Sequence, residues 1–214
     1  MADKKTIRKL GAEARAEVPA AQARRDAATY EPVKPAKQLG FIHNNMDCIG
    51  CRACEIACKD KNGLAPGPRF RRVMYVEGGQ FPEVFAYKVN MSCNHCAEPA
   101  CLPTCPTGAI WKRADNGIVD IDSTLCIGCR RCEAACPYGA RIQIKKTGVI
   151  EKCRFCWYEG EPGNPPRCVG TCISGARLFG DLDDPQSEIC QEIARTNAQP
   201  LAGDLTTAKI YYVR

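Results

Sequence analysis

Residues 126–137 read CIGCRRCEAACP: Cys126, Cys129, Cys132 and Cys136, closed by Pro137. Four thiols in eleven residues is a metal-binding density, and the stretch has a copy upstream. MDCIGCRACEIACK at 46–59 carries Cys48, Cys51, Cys54 and Cys58 at the same C-x2-C-x2-C-x3-C spacing. Two further groups widen the middle gap, to four residues at Cys93, Cys96, Cys101 and Cys105 and to eleven at Cys153, Cys156, Cys168 and Cys172. Their ends also match, TCPTGAI at 104–110 against TCISGAR at 171–177. Of seventeen cysteines only Cys190 stands outside these four groups.

The compact spacing is the bacterial ferredoxin run, in which three cysteines hold one iron-sulfur cubane and the fourth ligates a second cluster. Structural zinc uses CxxC pairs that jointly complete one tetrahedron, and disulfide frameworks belong to small secreted chains; neither suits three neighbouring thiols per loop. A two-cluster ferredoxin needs two groups that exchange their fourth cysteines. The second and third groups are adjacent and make one such unit, which leaves the first and fourth to pair across it. The expected ligand sets are therefore Cys93, Cys96, Cys101 with Cys136; Cys126, Cys129, Cys132 with Cys105; Cys48, Cys51, Cys54 with Cys172; and Cys153, Cys156, Cys168 with Cys58. The fold expected is α+β, two bacterial-type two-cluster ferredoxin modules, one inserted in the other, with extended N- and C-terminal arms. The divisions are 1–40 as an arm docking on a partner, 41–84 plus 146–184 as the outer module, 85–145 as the inserted module and 185–214 as a C-terminal tail.

Local pattern agrees with ligand loops set between strands and helices. Alternating runs at 85–91 and 117–122 predict strands, Asn116-Gly117 predicts a hairpin turn, and short helices are expected after the third cysteines. PQSEICQEIART reads as one helix, with Cys190 as a small packed residue, and TTAKIYYVR as a last strand. Gly50 and Gly128, between the first two ligands of their loops, serve either the turn alone or close approach of backbone amides to sulfur.

The 214 residues are 45% hydrophobic, with no apolar run long enough to span a bilayer. Acidic and polar residues follow Arg24-Arg25, so no signal peptide is expected. The formal charge of +6 would suit a nucleic-acid binder, but four oxidised clusters at about −2 each bring the loaded chain to about −2. Cations beside ligands, Arg52, Lys112, Arg113, Arg130, Arg131 and Arg154, are candidates for favouring the reduced clusters, and Trp111 and Trp157 for shielding them. His95, in CNHC, is not expected as a ligand because four thiolates complete that site. No C-x-x-C-H, phosphate loop or GxGxxG occurs.

Between the ligands stand CRACEIACKD, FRRV, VFAY, SCNHCAEPACLPTCPTGAI, CIGCRRCEAACPYGA and EKCRFCWYEG. From Phe41 to Asp181 the chain resembles the iron-sulfur subunits of the dimethyl sulfoxide reductase family of molybdopterin enzymes. That resemblance implies a molybdenum or tungsten bis-pterin catalytic subunit and a membrane subunit that reacts with quinone as partners, with no active site on this chain. It implies an electron path from the cluster of Cys48, at the catalytic subunit, through those of Cys153 and Cys93 to that of Cys126. Some relatives have tryptophan at the second cysteine of the third group and hold three irons there. Cys129 stands here, so four 4Fe-4S clusters are expected. Two other readings use the same thiols: a cytoplasmic polyferredoxin-type subunit of a formate dehydrogenase or hydrogenase, and, more remotely, a zinc-binding interaction module. The chain is placed at the membrane through its partners, on the periplasmic side by a partner's twin-arginine export, with the cytoplasmic side kept open.

Overall fold

The computed structural model describes residues 34–156, 164–201 and 206–213. Most of the N-terminal arm and Trp157 lie outside the described residues.

Strand β1 (Leu39–Asn44) is the middle of a three-stranded sheet. It pairs antiparallel with β8 (Arg177–Asp181) and parallel with β9 (Ile210–Val213). Alternation along these strands divides the sheet. Phe41, Phe179, Ile210 and Tyr212 face the thiol-bearing core, whereas Ile42, Leu178, Tyr211 and Val213 face the amphipathic helix α4 (Glu188–Thr196) through Ile189. Ser187 caps α4 by accepting the N–H of Cys190, and Asn197 ends it in the left-handed conformation. Cys190 packs against this side of the sheet, its thiol directed to the carbonyls of Asp181 and Leu182. The segment read as a C-terminal arm is thus part of the sheet. Its pairing with β1, some 170 residues away, is a long-range register that local patterning does not carry.

Among the described residues three hairpins complete the architecture. β2 (Arg71–Gln80) pairs with β3 (Glu83–Ser92), β4 (Ile110–Lys112) with β5 (Val119–Ile121), and β6 (Ile142–Gln143) with β7 (Ile150–Glu151). The Asn116-Gly117 turn joins β4 to β5: Gly117 has φ of 70° and the Asn116 side chain accepts the N–H of Ile118 at 3.0 Å. The boundary expected at 84/85 falls within β3, and that at 145/146 within the β6–β7 turn.

The helices begin just before the third cysteines rather than after them. Cys54 and Cys58 lie on α1 (Ala53–Lys61), Cys132 on α2 (Arg131–Ala134) and Cys168 on α3 (Arg167–Gly170). α1 packs on α3, which brings Cys58 beside Cys168. The second group has no helix at Cys101.

Candidate iron-sulfur sites

The same turn opens all four thiol groups. The residue two after the first cysteine is left-handed in each: Gly50 (φ 73°), His95 (44°), Gly128 (70°) and Phe155 (56°). At the two glycines a Cβ would also clash, with the Tyr75 side chain at Gly50 and with the Gly148 carbonyl oxygen at Gly128, so the left-handed turn and these neighbours both call for glycine. At the other two the side chains meet, the His95 and Phe155 rings 3.8 Å apart and fully buried. His95 Nδ1 accepts the Val119 N–H at 3.0 Å, which puts a neutral ring's proton on Nε2. Burial, with the charges of Lys152 and Arg141, holds its pKa well below the ordinary histidine value.

The thiols stand around cavity walls rather than at one point. One cavity is lined by Cys93, Cys96, Cys101 and Cys136, another by Cys105, Cys126, Cys129 and Cys132. Cys58 has Cys153, Cys156 and Cys168 as electrostatic neighbours. The loops of Cys48 and Cys172 meet at one end of the main sheet, where Asn44 N–H donates to the Ala176 carbonyl at 2.9 Å and His43 pairs with Arg177. Among the described residues no three His, Cys, Asp or Glu side chains converge as a single ion would require.

Donors and cations around the thiols fit an anionic cluster. Arg141 Nη2 donates to Cys101 Sγ at 2.7 Å, Asn90 Nδ2 to Cys54 Sγ at 3.1 Å, and the Ile150 N–H to Cys126 Sγ at 3.4 Å. Burial pushes the Cys58 and Cys96 thiols up to about 12 and those of Cys101 and Cys153 up to about 11. Iron binding there must therefore displace protons. At Cys168 burial acts upward too, but Arg71 and Arg177 outweigh it and hold the thiol below its usual value.

Sequence proximity found one buried cation and missed others. Arg52, Arg130 and Arg131 are exposed, Arg130 pairing with Glu133 at 2.7 Å. Arg113 pairs with Asp115, and Arg154 with Asp120 and Glu151. Only Lys112 is buried, donating to the carbonyls of Cys96 and Ala97. Among the described residues the remaining buried Lys and Arg side chains are Arg71, Arg141, Lys152 and Arg177. Arg141 and Arg177 occupy one repeated position, five residues after a fourth cysteine, in CPYGAR and CISGAR. Arg71 shares a strand face with Val73. That motif and that alternation were the available signals.

Residues 84–182 match the family model for a 4Fe-4S dicluster domain. The B component of the anaerobic dimethyl sulfoxide reductase of Escherichia coli K12 is 43% identical over 155 residues, covering 69% of this chain and 75% of that one. This chain belongs to the family of dimethyl sulfoxide reductase-type iron-sulfur subunits. Family likeness extends to the B component of the sulfite dehydrogenase of Allochromatium vinosum, 40% identical over 173 residues (71% of this chain, 72% of that one). It extends also to protein NrfC of Escherichia coli K12, 42% identical over 156 residues (72% and 70%). As a member of that family it is an iron-sulfur electron-transfer component of a molybdopterin oxidoreductase complex, without an independent active site. Among the described residues no helix is long and apolar enough to cross a membrane.

Proposed function

We propose that the chain relays electrons one at a time through four 4Fe-4S clusters between a molybdenum or tungsten bis-pterin catalytic subunit and a membrane subunit that reacts with quinone. The carrying observation is that the Cys93 group shares a cavity with Cys136, while the Cys126 group shares another with Cys105. That exchange is what two-cluster ferredoxin loops require. By the same logic Cys172 completes the set of Cys48, Cys51 and Cys54, and Cys58 that of Cys153, Cys156 and Cys168, so one ferredoxin module is nested in the other. Bound there, the clusters supply reversible one-electron storage. The chain's own residues hold them, exclude water and place charge.

The order Cys48, Cys153, Cys93, Cys126 is the one the family resemblance implies, and neighbouring thiols support it. Cys54 is an electrostatic neighbour of Cys168, Cys153 of Cys93, and Arg141 acts on both Cys101 and Cys132. The two ends also differ in exposure. Among the sixteen, Cys51 and Cys129 alone are exposed, one flanked by Ile49 and Met46 and the other by Ile127 and Leu125, all exposed. Apolar collars at the ends of the relay suit docking of redox partners. Assembly with a membrane subunit would hold this chain at the membrane surface, and export in the folded state on a partner's twin-arginine signal would set it on the periplasmic side. Anaerobic iron and labile-sulfide analysis tests the cofactor content, with about 16 of each expected per chain. About 8 of each would overturn the four-cluster reading.

A further inference from the structure

Arg71 and Arg177 are 1% and 2% exposed, and both guanidinium groups lie over the ring of Phe41, at 5.1 and 4.8 Å from its centroid. Among the described residues neither forms an ion pair with a carboxylate, and no nitrogen of the Arg177 side chain meets an oxygen acceptor. Two like charges buried around one ring are costly unless negative charge stands beside them. The groups that surround them are thiols. Arg71 acts on Cys54, Cys58, Cys153 and Cys168, and Arg177 on Cys54 and Cys168. A short relay adds direction: Arg71 Nη1 donates to Asn90 Oδ1 at 2.8 Å, and Asn90 Nδ2 donates to Cys54 Sγ at 3.1 Å. The Tyr212 hydroxyl fixes the relay from behind, donating to the Asn90 carbonyl at 3.0 Å.

We propose that Arg71 and Arg177 are positioning residues that raise the reduction potentials of both outer clusters together, with Asn90 carrying the effect of Arg71 to Cys54. The inference rests on the ligand sets proposed above. On reduction each cluster gains one electron from one neighbour and later passes it to the next; no proton moves and no bond forms or breaks. The added negative charge is what a fixed cation favours. Because both cations neighbour Cys54 and Cys168, they act on both clusters at once and shift the two potentials in the same direction.

Redox titration of the intact complex followed by electron paramagnetic resonance tests this, with each signal assigned by single cysteine-to-serine variants. Arg71→Gln is expected to lower the reduced-to-oxidised ratio of both outer clusters at fixed ambient potential by tenfold or more, about 59 mV for one electron. Arg71→Lys should recover most of that, which a purely steric role would not. Asn90→Leu should shift the Cys54 cluster alone, and this variant decides if Arg71→Gln does not fold. A reduced-to-oxidised ratio of the outer clusters within twofold of the unsubstituted complex in Arg71→Gln, or all four clusters shifting alike, would overturn the proposal. Failure of the ligand reading is seen separately, as iron below the four-cluster count in the unsubstituted complex.

Discussion

The loops of Cys48 and Cys126, at the two ends of the proposed relay, and those of Cys93 and Cys153 within it share a backbone turn and differ in what fills it. At Cys48 and Cys126 the left-handed position is a glycine, pressed by Tyr75 and by the Gly148 carbonyl. At Cys93 and Cys153 it is His95 and Phe155, whose rings meet. A bulky residue in that conformation costs of order 1–3 kcal/mol, so it persists only where packing offsets the strain. The end loops carry the exposed second cysteines, Cys51 and Cys129. Inner loops are sealed by an aromatic pair. Buried cations reach both kinds of loop, Arg71 and Arg177 acting on Cys54 and Cys168 and Arg141 on Cys101 and Cys132, so the loops differ in exposure and packing rather than in nearby charge.

The sharpest break of this comparison is at an end loop. Gly128→Ala should destabilise the loaded protein by about 3 kcal/mol or more, through the left-handed strain and the clash with backbone, and should lower bound iron. Thermal unfolding with iron analysis checks it. At the inner position His95→Ala should cost about 2–3 kcal/mol, from the lost ring contact and the Val119 N–H left without its acceptor. There His95→Gly should be about 1 kcal/mol more stable than His95→Ala, the reverse of the usual order, because the backbone is left-handed. Arg141→Gln removes a hydrogen bond to a thiolate and should weaken the reduced Cys93 cluster by about 1.5–3 kcal/mol, read as a lower potential. The smallest effect belongs to the end collar: Ile127→Asp should leave all clusters intact and weaken partner binding by about 1–2 kcal/mol in pull-down titrations.

The thiol groups, the Asn116-Gly117 hairpin, the α4 segment and the last strand were legible in the sequence because each is a local pattern. The parallel pairing of β9 with β1 was not, since nothing local fixes a register across most of the chain. Buried cations other than Lys112 were missed for a related reason. Neighbours in sequence of a surface ligand loop, such as Arg52 and Arg130, lie at the surface against Tyr75 and Glu133, while Arg71 reaches the thiols because β2 packs on α1 and carries it on the same face as Val73.

The central claim, that fourth cysteines are exchanged across a nested pair of modules, is tested most directly at Cys58. It lies in the first thiol group, yet the exchange assigns it to the cluster of Cys153, Cys156 and Cys168. Electron paramagnetic resonance of the reduced complex carrying Cys58→Ser should reproduce the change caused by Cys153→Ser and leave intact the signal altered by Cys51→Ser. A Cys58→Ser spectrum matching that of Cys51→Ser would contradict the exchange.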